Sequence, residues 1–203
     1  MNHNDYKILN KDIIYQGYAR VELYTLQSRL FSGEWSQPYV REISRRLNAV
    51  AALPYDPKSN QVVLIEQFRT GALWQEDKER SPWLLELVAG VMDKDKENKE
   101  ELIQRELIEE AGLECLGLQY IHTYLASPGG TSEEVTIYCA KVDASKAPKF
   151  SGIAEENEDI RVHVLPIEKA FAAVKNGTIY NAATIIALQW LELNLEQLRN
   201  FEF

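Results

Sequence analysis

The segment between Trp83 and Gly112 contains an apolar run, a glycine, a charged loop and a helix-like stretch rich in glutamate. The apolar run has the composition of a buried strand, and its lone Glu86 requires a polar partner because a buried carboxylate is costly. After Gly90 and the charged loop, the spacing predicts a helix over residues 98–111, followed by a glycine of the type favoured past helix C-termini. The segment therefore predicts a core strand followed by one amphipathic helix.

Three glutamates share one face of the predicted helix. At 100° per residue, Glu106, Glu109 and Glu110 cluster on the side opposite the apolar residues. Carboxylates three and four positions apart repel each other by roughly a few tenths of a kcal/mol per pair, and the C-terminal turns of a helix favour cations. The cluster is either a solvated acidic face or a platform for a hard dication such as Mg²⁺, whose ligands are carboxylates, water and substrate phosphates.

The remaining hydrophobic patterns predict an α/β fold with a mixed sheet. Short alternating segments between residues 13 and 46 indicate a small antiparallel β module. Helices are predicted over residues 168–175 and 182–198. We expect two domains, over residues 1–47 and 48–203. The predicted core strands, of which the first two are joined by a turn, cover residues 48–53, 61–68, 119–126, 135–142 and 160–165.

Composition limits the partners of the chain. The formal net charge of −9 over 203 residues argues against nucleic acid, whose phosphates require a basic surface. No stretch approaches the ~20 apolar residues of a membrane span, and the N-terminus has no basic start followed by an apolar run. We therefore expect no membrane association and a cytoplasmic location. Cys115 and Cys139 lack metal-ligand spacing to another Cys or His, so we expect buried free thiols.

The segment from Gly90 to Leu113 resembles the Nudix box of hydrolases that cleave nucleoside diphosphates linked to another group. That box reads Gly, five residues, Glu, seven residues, then Arg-Glu-apolar-any-Glu-Glu-any-Gly-apolar. Here Glu97 and the run from Arg105 fit, but six residues separate Gly90 from Glu97, so the loop is one residue longer. We expect the extra residue to bulge outward without shifting the helix, and we regard Glu97 as supporting only. The resemblance implies the Nudix α/β/α sandwich with a mixed sheet, here with the small N-terminal antiparallel β module added.

The resemblance also implies a metal-dependent active site on this helix. Glu106 and Glu110 would bind the metal directly, Glu109 would ligate or position a bridging water, and Arg105 would orient the glutamates. The carbonyl of Ala89 would complete the coordination shell. Two or three Mg²⁺ ions, for which Mn²⁺ is a possible substitute, would neutralise the substrate diphosphate and activate water.

Three further segments resemble the ADP-ribose pyrophosphatase branch of this family. The first is the Ser-Pro-Gly-Gly loop that begins at Ser127. The second is an acidic loop in which Glu156 would be the general base and Glu158 an additional metal ligand. The third, residues 181–191, is expected to be core helix and has diagnostic value only. The branch also carries an arginine against the diphosphate at the position of Arg69.

The branch resemblance defines the expected substrate contacts and reaction. The reaction would convert ADP-ribose to AMP and ribose 5-phosphate. Hydrolysis of another nucleotide sugar or dinucleotide, or ADP-ribose sensing without catalysis, are the alternatives, although the complete glutamate set favours an enzyme. An N-terminal module exchanged between subunits implies a homodimer. The expected contacts are Arg69, Val91, Ser127, Pro128, Gly129 and Glu133 within one chain, and Tyr18, Ala19, Arg41, Glu42 and Arg46 from a neighbouring subunit.

Overall fold

The structure, a computed structural model, describes residues 4–77, 79–94 and 96–199, without the side chains of Glu156 and Arg199. The chain divides into two compact units. The first comprises the described residues up to Asn48 together with Leu125–Glu134. The second comprises Ala49–Tyr124 together with the described residues from Val135 onward.

The first unit contains an antiparallel sheet in the order β1-β2-β3. Its strands are β1 (Tyr6–Gln16), β2 (Arg20–Ser28) and β3 (Tyr39–Arg45). The predicted antiparallel module is confirmed, but its first strand begins at Tyr6 rather than at residue 13. The additional residues extend the pairing with β2, in which Tyr6 lies opposite Ser28.

The second unit contains a mixed sheet of eight strands in the described part of the chain. Parallel pairing of β4 with β9 and antiparallel pairing of β5 with β11 confirm the predicted mixed sheet. The central order is β10-β11-β5-β4-β9-β8, with β6 paired to β5 and β7 paired to β4. The strands are β4 (Ala49–Asp56), β5 (Gln61–Phe68), β6 (Trp83–Glu86), β7 (Val88–Val91), β8 (Gly117–Leu125), β9 (Glu134–Lys141), β10 (Phe150–Ser151) and β11 (Ile160–Pro166).

Helices cover both faces of this sheet. They are α1 (Lys99–Ala111), α2 (Ile167–Lys175) and α3 (Ala182–Arg199). Leu107 of α1 belongs to one buried cluster with Val63, whereas Leu188 of α3 belongs to a second cluster with Leu64. Because adjacent residues of a strand point to opposite faces, α1 covers one face and α3 the other. The predicted α/β/α sandwich is therefore confirmed. No helix within the described ranges has the length and apolar character needed to cross a membrane.

The apolar segment predicted as one strand is broken at Leu87. Its first half, β6, pairs with β5, and its second half, β7, pairs with β4. The segment therefore crosses between two strands that pair with each other only near their shared turn, at Tyr55 and Asp56 of β4. The turn itself begins later than predicted, since β4 continues to Asp56. At the break, the amide of Leu87 donates to Oγ1 of Thr184 in α3, over 3.2 Å.

The two cysteines are free thiols. Cys139 is buried, as expected, and its burial raises the pKa of the thiol to about 12. Cys115 is only partly buried, and its Sγ lies 3.4 Å from the carbonyl oxygen of Gly117. The expectation of two buried thiols is thus correct for one of them.

Candidate active site

Local sequence signals fix both ends of the glutamate helix α1. Oδ1 of Asn98 accepts the amides of Glu100 and Glu101 at 3.0 and 2.9 Å, and the Glu101 carboxylate accepts the Asn98 amide at 3.1 Å. This reciprocal capping box satisfies amides that lack partners within the helix. Gly112 ends the helix in a left-handed conformation with φ of 62°. The predicted helix and its terminal glycine are confirmed.

Arg105 connects three glutamates at the exposed side of α1. Its Nε and Nη2 donate to the two carboxylate oxygens of Glu97 at 3.0 and 3.2 Å. Its Nη1 lies 2.9 Å from Glu106 and 2.7 Å from Glu109. The hydrogen bonds from Arg105 hold the pKa of Glu97 below its ordinary value. Despite the longer loop, Glu97 therefore reaches Arg105, and Lys96 accommodates the turn with a φ of 77°.

Glu106 packs directly against the backbone of Gly90. A Cβ atom at position 90 would lie 2.5 Å from both Cγ and Cδ of Glu106, so glycine is needed for the side chain of Glu106 to keep its observed position. Burial raises the pKa of Glu106 to about 7, with further contributions from the charges of Glu109 and Glu158, against the opposing effect of Arg105. The carboxylate thus sits where its own negative charge is disfavoured.

Glu110 is the buried member of the cluster, with 3% of its surface exposed. Its Oε2 accepts the amide of Ala89 at 2.9 Å. Burial raises its pKa to about 8, and the charges of Glu106 and Glu158 add to this, whereas the Ala89 amide and Arg69 oppose it. A buried carboxylate among other carboxylates requires a compensating positive charge.

The acidic loop after β10 is fastened to the end of α1. The amide of Gly152 and Oγ of Ser151 donate to the carbonyl of Glu109 at 3.2 and 2.8 Å. Within the loop the Glu158 amide donates to the Ile153 carbonyl at 3.2 Å. These bonds keep Glu158 near enough to act electrostatically on both Glu106 and Glu110. The side chain of Glu156 lies outside the described part of the structure, so its role stays a prediction.

The chemistry of these donors fits a divalent cation. Among the described side chains, no three His, Cys, Asp or Glu residues already converge as a metal cage. Mg²⁺ does not require one, because it is usually held by one or two carboxylates, with waters and substrate phosphates as the other ligands. Glu106 and Glu110, whose raised pKa values reflect unfavourable negative charge, are suitable oxygen donors. A bound dication would supply the missing compensation.

Arg69 and Val91 lie at the ends of strands that flank the cluster. Nε of Arg69 donates to Oε2 of Glu86 at 2.6 Å, so Glu86 has the polar partner that its position in an apolar strand requires. The charge of Arg69 also acts on Glu110. Val91 is the last residue of β7 and is 42% exposed. Both residues therefore belong to the same unit as the glutamates.

The other predicted substrate contacts lie in the first unit. The backbone of Ser44 bonds to that of Gly130, and the amide of Arg46 donates to Oγ of Ser132 at 3.1 Å, which joins β3 to the glycine-rich loop. The guanidinium of Arg46 lies over the ring of Tyr18, 5.9 Å from its centroid, and Tyr18 as a whole is 96% exposed. The remaining members of this set are Ala19, Arg41, Glu42, Ser127, Pro128, Gly129 and Glu133.

Two residues that shape the site, Glu86 and Gly90, have side-chain contacts that the sequence does not reveal. The isolation of Glu86 in an apolar run predicts that it needs a polar partner, but it does not identify Arg69 as that partner. The contact of Gly90 with Glu106 has no sequence signal beyond the Nudix-box position, since it depends on the packing of α1 on β7. Geometry was needed to identify both.

Comparison with known proteins defines the class to which this site belongs. The model of the NUDIX domain matches residues 45–187, and the chain belongs to the Nudix family. An ADP-ribose pyrophosphatase of Escherichia coli K12 is 46% identical over 197 residues, which cover 97% of this chain and 92% of the relative. A protein of the same description from Haemophilus influenzae is 39% identical, with 98% of this chain and 91% of the relative covered.

Two further similarities are more distant. A GDP-mannose pyrophosphatase of Cronobacter sakazakii is 36% identical over 154 residues, which cover 75% of this chain and 78% of the relative. A solved structure described as an ADP compounds hydrolase superposes with a TM-score of 0.73 at 21% identity, covering 96% of this chain and 97% of the other. The structural match supports the fold.

Proposed function

We propose that this protein hydrolyses the diphosphate of ADP-ribose to AMP and ribose 5-phosphate. The observation that carries the proposal is the convergence of Glu106, Glu110 and Arg69 beside the Ala89 amide. The two carboxylates, whose pKa values are raised, provide oxygen ligands for a metal ion. The arginine provides hydrogen-bond donors for the diphosphate. Relatives described as ADP-ribose pyrophosphatases, which match almost the whole chain, support the choice of substrate.

Magnesium is the proposed cofactor, with two or three ions bound and Mn²⁺ able to replace it. Glu106, Glu110, Glu158 and the Ala89 carbonyl would hold these ions. When bound, they neutralise the diphosphate oxygens and lower the pKa of a coordinated water. The proximity of Glu158 to both helix glutamates supports its inclusion in this set.

The protein's own residues divide the remaining tasks. Glu156 is the proposed general base that accepts a proton from the attacking water. Water adds to one phosphorus, the bridging oxygen leaves with the other phosphate, and AMP and ribose 5-phosphate result. Arg69 binds the diphosphate, and Arg105 holds Glu106 and Glu109 in position while Glu97 holds Arg105. Val91, Ser127, Pro128, Gly129 and Glu133 would complete the substrate contacts within one chain.

The N-terminal module, residues 1–47, is proposed to form a homodimer and to contact the adenosine end of the substrate in the partner. Tyr18, Ala19, Arg41, Glu42 and Arg46 are the proposed contacts. The apolar side chains of β1 support a partner surface, since they are about half exposed along an edge strand. These side chains are Tyr6, Ile8, Leu9, Ile13, Ile14 and Tyr15. Residues 48–203 are the proposed catalytic domain, and a cytoplasmic location remains a prediction.

Hydrolysis of another nucleotide sugar is the second candidate function. Relatives described as GDP-mannose pyrophosphatases share 36% identity with this chain, although they align over a smaller part of it. Base and sugar selectivity depend on few loop contacts, so the carboxylate helix itself does not decide between these substrates.

The test compares AMP release from ADP-ribose with hydrolysis of GDP-mannose at equal concentrations, in Mg²⁺ and in EDTA. We expect cleavage of ADP-ribose only with the metal, and a fall in kcat/KM of about 100-fold or more for Glu106→Gln, because a metal ligand is lost. Glu100→Gln, on the exposed first turn of the same helix, is the control and should match the wild type. Preferential cleavage of GDP-mannose would contradict the proposed substrate, whereas metal-dependent binding without cleavage would indicate a sensor.

A further inference from the structure

Arg69 and Glu86 form an ion pair beside the glutamate cluster. Nε of Arg69 donates to Oε2 of Glu86 at 2.6 Å. Glu86 is largely shielded, with 15% of its side chain exposed, whereas 45% of the Arg69 side chain is exposed. The arginine therefore faces solvent at one end while its partner is embedded in the sheet.

The backbone fixes both members of this pair. The amide of Arg69 donates to the carbonyl of Pro82 at 2.9 Å, which ties the end of β5 to the start of β6. Glu86 lies opposite Ile65 in the β5–β6 register, and Ile65 belongs to the core beneath α1. Because directly paired residues share a face of the sheet, Glu86 projects on the face that carries the catalytic glutamates.

The geometry of the pair leaves one edge of the guanidinium available. A guanidinium has five N–H donors in a rigid plane, and Glu86 accepts the one on Nε. No other acceptor among the described residues contacts Nη1 or Nη2 of Arg69. These two groups form the edge that makes parallel hydrogen bonds to a phosphate. An arginine held through Nε thus presents this edge without losing further side-chain freedom on binding.

Glu86 also competes with the glutamate cluster for the positive charge of Arg69. The positive charge of Arg69 acts on Glu110, so the guanidinium lies within electrostatic reach of a proposed metal ligand. Without Glu86 the Arg69 guanidinium would be attracted towards the negatively charged glutamates of the cluster, of which Glu110 already feels its charge. A carboxylate on β6 therefore keeps the arginine beside the metal ligands and away from direct pairing with them.

We propose that Glu86 is a positioning residue that aims the Nη edge of Arg69 at the substrate diphosphate. The inference rests on the proposed function. Glu86 contacts the arginine and not the reacting atoms, so its loss weakens substrate binding more than it slows the chemical step.

A double-mutant cycle tests the pairing. Steady-state kinetics with ADP-ribose would be measured for the wild type, Glu86→Gln, Arg69→Lys and the double variant. We expect Glu86→Gln to raise KM by about 10-fold, which is comparable to the loss seen when a residue that orients a ligating side chain is replaced. The change in kcat should be less than about 3-fold. In the Arg69→Lys background the same change should alter KM by less than about 2-fold, because lysine has no guanidinium for Glu86 to orient.

Glu66→Gln is a matched control. Glu66 is the neighbouring strand carboxylate, with its own ion pair to Arg161 at 3.3 Å and a hydrogen bond with Nε2 of His163 at 2.9 Å. It follows Ile65 on the other face of β5, so its variant should keep the wild-type KM. Melting temperatures and circular dichroism would verify that every variant is folded.

The outcomes separate the role of Glu86 from the choice of substrate. A KM unchanged by Glu86→Gln, or an equal loss in both Arg69 backgrounds, would overturn the positioning role. A wild type that cleaves GDP-mannose in place of ADP-ribose would overturn the proposed substrate alone. The same cycle, run with GDP-mannose, would then decide the role of Glu86.

Discussion

At the scale of single residues, the glutamates of the site differ in environment rather than in chemistry. Glu97 is held by the Arg105 guanidinium, and its pKa is lowered. Glu110 is buried, and its pKa is raised to about 8. The protein alone stabilises the first as an anion, whereas for the second the cost of burial outweighs the Ala89 amide and Arg69. This difference separates a carboxylate that supports the site from one suited to bind a cation.

Residue identities were predictable where a motif fixes them. The spacing from Gly90 onward placed Glu106 and Glu110 on one face of a helix, and the structure has that helix. The pairing of Arg69 with Glu86 was not predictable, because 17 positions separate them and only strand pairing brings them together. Side-chain contacts between strands depend on register, which the local sequence does not specify.

Gly90→Ala should reduce activity while leaving most of the stability. The added methyl group would lie 2.5 Å from Cδ of Glu106, but a flexible side chain can rotate away. We expect a loss of roughly 1 kcal/mol in the free energy of unfolding, at the low end for overpacking. The displaced carboxylate should lower kcat/KM by about 10-fold or more. Gly71→Ala, where a methyl group meets no atom within 4 Å, is the control, and wild-type kinetics in Gly90→Ala would refute the contact.

At the scale of elements, the sequence predicted most strands and helices but not how they connect. The run from Trp83 is uniformly apolar apart from Glu86, and nothing local marks a break at Leu87. The break arises because β6 forms hydrogen bonds with β5, whereas β7 forms hydrogen bonds with β4. Asn181, which directly precedes α3, and Thr184, in its first turn, bond to this crossing. The side-chain amide of Asn181 donates to the Leu85 carbonyl at 2.7 Å, and Thr184 accepts the Leu87 amide. The start of the segment 181–191 thus supports the junction between β6, which carries Glu86, and β7, which carries Ala89.

Thr184→Val should destabilise the protein without changing the volume of the core. Thr184 is fully buried, and its hydroxyl accepts the Leu87 amide, which would be left without a partner. We expect a loss of about 1–3 kcal/mol in the free energy of unfolding. Urea unfolding would measure it, with the exposed Thr178→Val as the control. Equal unfolding midpoints for the two variants would show that the hydrogen bond contributes nothing.

The three-stranded sheet should lose stability in acid through Glu22. Burial favours the neutral form of this fully buried carboxylate, but hydrogen bonds from Tyr24, Lys11 and Arg20 outweigh it and lower the pKa to about 2. A lowered pKa means that the stabilisation exists above the ordinary value of 4.5 and disappears as the pH falls towards 2.

Melting curves recorded between about pH 7 and pH 2.5 would measure this effect. Glu22→Gln should melt at a lower temperature than the wild type at neutral pH, because it leaves the surrounding cations without a carboxylate. The difference between the two proteins should shrink towards pH 2.5. The exposed Glu34→Gln is the control, and a Glu22 variant that melts like it at pH 7 would contradict the prediction.

At the scale of the whole molecule, the fold class followed from the order of elements, because alternating strands and helices with one antiparallel module have few compact arrangements. The assignment of Leu125–Glu134 to the first unit did not follow from the sequence. In the sequence that loop connects two strands of the second sheet, β8 and β9, and it joins β3 through contacts that span more than 80 residues, such as Ser44 with Gly130. Sequence patterns of short period carry no information about such contacts.

Magnesium should stabilise the folded protein, and more strongly in mild alkali. The pKa values of about 7 for Glu106 and about 8 for Glu110 exceed the ordinary 4.5, so the metal-free folded state holds protons that the unfolded chain has lost. Its stability therefore falls as the pH rises from about 4.5 to about 8, and the carboxylates become available to the metal as they ionise. At a free Mg²⁺ concentration of about 100 times its Kd, binding would add about 2.7 kcal/mol to the free energy of unfolding.

Melting temperatures in Mg²⁺ and in EDTA, at about pH 6.5 and pH 8.5, would measure this linkage. The increase caused by Mg²⁺ should be larger at the higher pH. Glu110→Gln should remove most of it, since that variant lacks the buried donor. An increase that is the same at both pH values would show that these carboxylates do not exchange protons for the metal.

The loop Leu125–Glu134 also affects how this protein can be recombined with its relatives. A chimaera made by a single crossover near residue 48 would inherit its first 48 residues from one parent and this loop from the other, although the two belong to one unit. The backbone bonds of Ser44 with Gly130 and Ser132 would then join residues of different ancestry. Exchange of specificity between lineages should therefore succeed when both pieces are transplanted together, and evolution is expected to change them in concert.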